Sequence, residues 1–108
     1  MIPNLPKPIE VYFTNDRVDA AGLELCFAEN AFVKDDGHTH TGIAAIKSWK
    51  ADVLKKYAFT SEPLSFEENQ GKIIVTSRET GNFPGSPLQF RYSFGLEGDK
   101  IASLEVQV

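Results

Sequence analysis

Hydrophobic residues recur at two periods along this chain, and the period changes at Phe59. Before that point the spacing is helical. Pro8 suits the first turn of a helix, and Ile9, Tyr12 and Phe13 follow at i, i+3 and i+4. Asn15 to Asp19 interrupts the pattern with capping residues, after which Leu23, Cys26 and Phe27 mark one face of a second predicted helix. Ala31 to Asp35 has the β-branched and aromatic character of a short strand, which Asp36-Gly37 closes with turn chemistry. A third helix is predicted from Thr41 as N-cap. Its apolar stripe is Ile46, Trp49, Val53, Leu54 and Tyr57, with Lys47, Lys50, Lys55 and Lys56 assigned to the solvent side.

From Phe59 onward the alternation is that of strands. Leu64 and Phe66 alternate with polar neighbours, Asn69 to Lys72 reads as a hairpin turn, and Ile73 to Thr76 opens the next strand. Gly81 to Pro87 cannot continue a central strand, because its prolines remove ladder donors. Leu88, Phe90, Tyr92, Phe94 and Leu96 then alternate strictly with polar or small residues, and a last strand runs from Ile101 to Val108. The order is helix, helix, strand, helix and four antiparallel strands. This predicts an α+β fold in which three helices cover one face of a strongly curved, mostly antiparallel sheet, forming a cone with an apolar pocket.

Composition narrows the function classes. A length of 108 residues suits one domain spanning 1–108, and at this size folding removes roughly 65% of the unfolded surface from water, enough for a core without staples. Eleven Lys and Arg against fifteen Asp and Glu, a formal charge of -4, disfavour wrapping a nucleic-acid backbone. Cys26 stands alone, so no intramolecular disulfide is possible and a reducing compartment fits best. Pro3, Pro6 and Pro8 fall where a signal peptide needs a continuous apolar stretch, and no window approaches a membrane span of roughly 18 apolar residues. The expectation is a soluble cytoplasmic protein that binds neither nucleic acid nor membrane.

Several segments carry a resemblance that extends over nearly the whole chain. They are Tyr12 to Asp16, Cys26 to Asp35 and Thr41 to Trp49, followed by Gly81 to Pro87, Phe90 to Leu96 and Gly98 to Ile101. In their order and spacing they resemble the nuclear transport factor 2-like superfamily, and within it the SnoaL-like group that includes polyketide cyclases and ketosteroid isomerases. The resemblance implies a cone-shaped α+β fold, an apolar pocket between sheet and helices, and a homodimer formed through the outer face of the sheet. It places Asp35 at the position matching the isomerases' catalytic aspartate. The tyrosine position of those enzymes falls on Val11, with Tyr12 one residue away, and their second acid falls near Phe90.

Asp35 is therefore the first candidate. A carboxylate drawn into an apolar pocket is a usable proton shuttle, since desolvation disfavours its charged form, although an Asp before Asp-Gly is also a common turn former. His38 and His40 lie close by. Metal binding by them is disfavoured, because no further Cys or His completes a shell, whereas His40 pairing with Asp35 as an acid/base dyad and two solvated loop histidines both remain open. Arg78 either binds a substrate carboxylate inside the cone or makes a cross-strand ion pair. Trp49, Tyr57 and Phe90 are the aromatic residues expected to contact a ligand, among others that form ordinary core.

Two functions fit these residues. The first is a cofactor-independent enzyme, an isomerase, cyclase or dehydratase, with Asp35 as base and His40 or Tyr12 assisting. The second is a non-enzymatic module that binds a small apolar or aromatic molecule or dimerises through its sheet. They are separated by whether Asp35 faces an enclosed cavity within reach of another polar side chain.

Overall fold

The computed structural model describes residues 5–15 and 20–107. The first four residues, the capping run at Asp16 to Asp19 and Val108 lie outside them. Helix α1 (Lys7–Asn15) is followed by a 3₁₀ segment (Ala20–Leu25), then β1 (Phe27–Asp35), β2 (His38–Thr41) and helix α2 (Ile43–Lys56). Strands β3 (Phe59–Asn69), β4 (Lys72–Gly81), β5 (Leu88–Glu97) and β6 (Lys100–Gln107) complete the chain. The fold is α+β with a six-stranded mixed sheet in the order β2-β1-β6-β5-β4-β3, antiparallel except where β1 runs parallel to β6.

Two expectations need correction. The described residues hold two α-helices rather than three, since the segment containing Leu23 winds as a 3₁₀ turn. Such turns rarely extend beyond a few residues, and Leu23 is fully buried where this one hands over to β1. The second correction is that β1 is nine residues long and pairs with a strand read as loop. Asp36 and Gly37 both adopt positive φ, 52° and 78°. This is the geometry of a two-residue hairpin whose twist matches its strands, and it sets Asp35 opposite His38 and Val33 opposite His40. Gln70 and Gly71 repeat the device between β3 and β4. Thr41 ends β2, so α2 is capped instead by Gly42, with no side-chain cap bond.

The core forms where α1, the 3₁₀ segment and α2 lie on the sheet. Ile9, Tyr12, Leu23, Val33, Ile46, Val75, Phe94, Ile101 and Leu104 are all fully buried there. Residues paired across the sheet share a face, so Val75 with Tyr92 and Leu104 with Phe94 define the inner side. Ile74, Thr76, Arg78 and Thr80 occupy the outer side by the same parity. No helix among the described residues is long and apolar enough to cross a membrane.

Candidate functional site

The inner face does not fill completely. A half-open cavity of about 1000 Å³ lies between the two helices and the sheet, with all six strands contributing to its lining. Its walls are aromatic because β5 places Phe90 and Tyr92 on the inner face, stacked with centroids 6.4 Å apart, while α2 contributes Trp49, and Tyr57 is the residue that follows the helix. Beyond Tyr92 the same row continues as Phe94, which is core. A volume of this order accommodates a drug-sized ligand.

Asp35 lines the cavity from the end of β1. Its Oδ2 accepts a hydrogen bond of 2.9 Å from the Trp49 indole Nε1. That bond ties the strand to α2 and fixes which carboxylate oxygen is committed to the protein. Among the described residues Oδ1 has no side-chain hydrogen-bond partner. His40 shares the inner parity and lies with its ring 6.0 Å from that of Trp49, yet it is outside the cavity lining and makes no hydrogen bond to Asp35 among the described residues. The Asp35–His40 dyad, one of the two readings left open for His40, is not formed, and the hairpin register sets His40 against Val33, two residues along β1 from Asp35. No cluster of three or more His, Cys, Asp or Glu suited to a metal exists among the described residues.

A second group of polar residues lies deeper. Lys50 was assigned to the solvent side, but it is only 3% exposed, and its Nζ donates to the Tyr12 hydroxyl at 3.3 Å. The ammonium also stands 5.3 Å from the Tyr12 ring centroid, 4.7 Å from that of Trp49 and 5.9 Å from that of Phe59, within cation–π range of all three. Glu79 is equally buried, and accepts from Ser61 at Oε1 and Ser77 at Oε2, both at 2.7 Å. Tyr12, Lys50 and Glu79 all line the cavity. Signals for both charged residues were present in the pattern. Lys50 falls in the stripe 46, 49, 50, 53, and Glu79 shares parity with Val75 and Ser77.

Arg78 is a correction of the opposite kind. It lies on the outer face, half exposed, and its guanidinium meets Glu62 at 3.4 Å directly across the strand pair. A cross-strand pair thus forms there, and Arg78 takes no part in the cavity. Tyr57 and Phe90 do line it. Cys26 is buried, with Sγ 3.6 Å from the Leu23 carbonyl.

The segment joining β4 to β5 closes one side. Asn82 clamps it to the start of β3, its N–H donating to the Ala58 carbonyl at 3.1 Å while its Oδ1 accepts from the Ala58 N–H at 2.9 Å. Phe83 then turns edge-on to Tyr57 and to Phe90. The approach requires glycine at 81, where an added Cβ would run into the Ala58 carbonyl oxygen and lie 2.6 Å from the Phe59 Cβ. Gly81→Ala is therefore expected to cost about 1–3 kcal/mol by overpacking, measured by urea denaturation. A loss below about 0.5 kcal/mol would mean that the β3 edge yields freely.

An α+β sheet with helices on one face and an aromatic cavity holding a rim carboxylate defines the class. No family model and no curated relative matches the chain. Among solved structures, the protein SMa1630 of Sinorhizobium meliloti, provisionally described as a polyketide cyclase, is 36% identical over 95% of each chain with a TM-score of 0.89. A Catenulispora acidiphila protein with a ketosteroid isomerase-like fold, bound to trimethylamine, is 17% identical with a TM-score of 0.84 over 97% of this chain and 87% of that one. TerC, co-crystallised with polyporic acid, is 18% identical with a TM-score of 0.80 over 93% and 87%. The last two share the fold alone, whereas the first is similar in sequence as well. The chain belongs to the SnoaL-like, nuclear transport factor 2-like superfamily.

Proposed function

We propose that this protein is a cofactor-independent enzyme that moves a proton beside a carbonyl of a small aromatic or polyketide-like molecule, as an isomerase, cyclase or dehydratase. Asp35 is the general base in this reading. The observation that carries it is the geometry of that carboxylate: it lines an aromatic cavity of about 1000 Å³, oriented through Oδ2 by Trp49. A base must be held in one orientation within reach of the proton it removes, and the indole supplies the orientation. Lys50 and Tyr12, joined by a hydrogen bond, line the same cavity, and an oxyanion formed by proton removal needs donors of this kind. The likeness to a polyketide cyclase and to a protein that holds polyporic acid supports an oxygenated ring system as ligand.

The test is exchange of α-protons of an aromatic ketone such as acetophenone in D₂O, followed by proton NMR. Catalysed exchange that depends on Asp35 is the expected result, and exchange at the buffer rate would sink the enzymatic reading. One observation favours a second reading, binding without turnover: His40 is not joined to Asp35, so no second acid/base group is coupled to the first.

A homodimer through the outer face of the sheet belongs to the same proposal. Helices cover only the inner face, and the outer one carries Ile74 among polar residues and Phe32, which is 37% exposed. Sedimentation at micromolar concentration is expected to give twice the chain mass. A clean monomer would remove the sheet-to-sheet interface.

A further inference from the structure

Asp35 and Tyr92 stand at one level of the sheet. Asp35 pairs with Val106 and Val106 pairs with Tyr92, and residues paired across strands share a face, so the carboxylate and the ring lie on the inner side two strands apart, about 10 Å. Phe90 is two places nearer the start of β5, about 7 Å further along the strand. The cavity floor at this level is therefore a row of two rings, Tyr92 and Phe90, and the row is bounded at both ends. At one end it runs into Phe94, which is fully buried core. At the other stands Phe83, edge-on to Phe90 with centroids 6.4 Å apart and edge-on to Tyr57 at 6.2 Å. Phe83 and Phe90 are only partly buried, Tyr57 is 37% exposed, and all three line the cavity, so these rings are open to a ligand.

The backbone that carries Phe83 is pinned on both sides. Asn82 holds Ala58 through two hydrogen bonds, the Gly81 N–H donates to the Ser86 hydroxyl at 2.8 Å, and the Ser86 N–H returns to the Phe83 carbonyl at 3.3 Å. We infer that Phe83 is the specificity-determining residue of this cavity: it stops the part of the ligand remote from Asp35, so that the site takes a compact ketone of one or two fused rings and rejects a linearly extended one. The inference rests on the reading of this cavity as the ligand site with the reacting carbon at Asp35, and it names the size class of the ligand. Without a stop, a longer aromatic ketone buries more apolar area and binds more tightly. With Phe83 in place its far ring meets the wall, and a segment tied at both ends yields to overpacking only at a cost. The two cases are told apart by the order of affinities, which lipophilicity alone sets one way and the wall sets the other.

The probes are acetophenone, 2-acetylnaphthalene and 4-acetylbiphenyl, titrated into the full chain with a little dimethyl sulfoxide and followed by protein chemical shifts. The unmodified protein is expected to bind the naphthalene more tightly than acetophenone, and the biphenyl more weakly than the naphthalene although it is the more apolar of the two. In Phe83→Ala, checked for folding by circular dichroism, the biphenyl is expected to gain at least about tenfold relative to the naphthalene, which reverses their order. A biphenyl that already binds more tightly in the unmodified protein overturns the end wall, as does an order that Phe83→Ala leaves unchanged. Absence of binding by the two smaller ketones at millimolar concentration overturns it together with the reading of the cavity. If Phe83→Ala misfolds, the ligand order on the unmodified protein decides alone. Asp35→Asn separates this inference from the catalytic one. It is expected to keep the order of affinities while losing exchange, so a failed exchange assay removes the base and leaves the wall, and a series that binds in the wrong order removes the wall and leaves the base.

Discussion

Asp35→Asn is expected to slow α-proton exchange on an aromatic ketone by about 100- to 10,000-fold, the range that a positioned general base supplies. The substitution is nearly isosteric. Its amide oxygen can still accept the Trp49 indole N–H that Oδ2 now accepts at 2.9 Å, so the tie between β1 and α2 survives while the base does not. The thermal midpoint should then move by less than about 4 °C, the shift that corresponds to about 1 kcal/mol in a domain of this size. Exchange within about threefold of the unmodified protein would show that Asp35 is not the base. A large fall in midpoint with exchange lost in proportion would instead make the carboxylate structural.

Trp49 is the control that tells these apart, because its indole N–H, unlike its ring in the cavity wall, bears on the reaction through Asp35. It is a positioning residue. Trp49→Phe keeps an aromatic wall and deletes the hydrogen bond, and a base left free to rotate loses orientation more than it loses binding. The expected signature is a fall in kcat with KM changed little.

How far this site was legible in the chain follows from the periods that the residues impose. Leu88 to Leu96 was unmistakable, because a strict alternation of large apolar and polar residues admits only a half-buried strand, and β5 covers it and runs one residue further, to Glu97. Trp49, Tyr57 and Phe90 were expected at the ligand and do line the cavity. His38 to Thr41 was missed, since four residues without an apolar position carry no alternation, and only pairing with β1 makes them a strand. Asp36-Gly37 announced the turn but not the partner. Lys50 and Glu79 were hidden by a different fact: a charged side chain in an apolar stripe is ordinarily read as solvated, and its burial depends on elements remote in sequence. Tyr12 lies 38 positions from Lys50, and Ser61 lies 18 from Glu79. Only the helical stripe for Lys50 and the strand parity for Glu79 carried a signal of burial. The reading of Arg78 left two options, and the register of β3 against β4 decides for Glu62.

Phe94→Ala is expected to have the largest effect on stability, about 3–5 kcal/mol. The ring is fully buried, edge-on to Tyr12 and Phe13 at 5.6 and 6.0 Å and stacked on Tyr92 at 6.3 Å. Its strand neighbours are Ile73 and Leu104, so its removal leaves a void that several elements must collapse to fill. Domains of about this length are stable by roughly 5–15 kcal/mol. The loss is thus a third or more of the total in most of that range, and at about 4 °C per kcal/mol the midpoint falls by at least about 12 °C. Phe90 is the informative comparison. It stands two places closer to the cavity in the same aromatic row, is only partly buried, and already faces open volume. Phe90→Ala enlarges a space that exists and should cost less than half as much, while weakening ligand binding more. The division of one row of rings into core and cavity predicts that order. Thermal denaturation of the two variants side by side checks it, and a Phe90→Ala loss equal to or greater than that of Phe94→Ala would show that the cavity wall is part of the core.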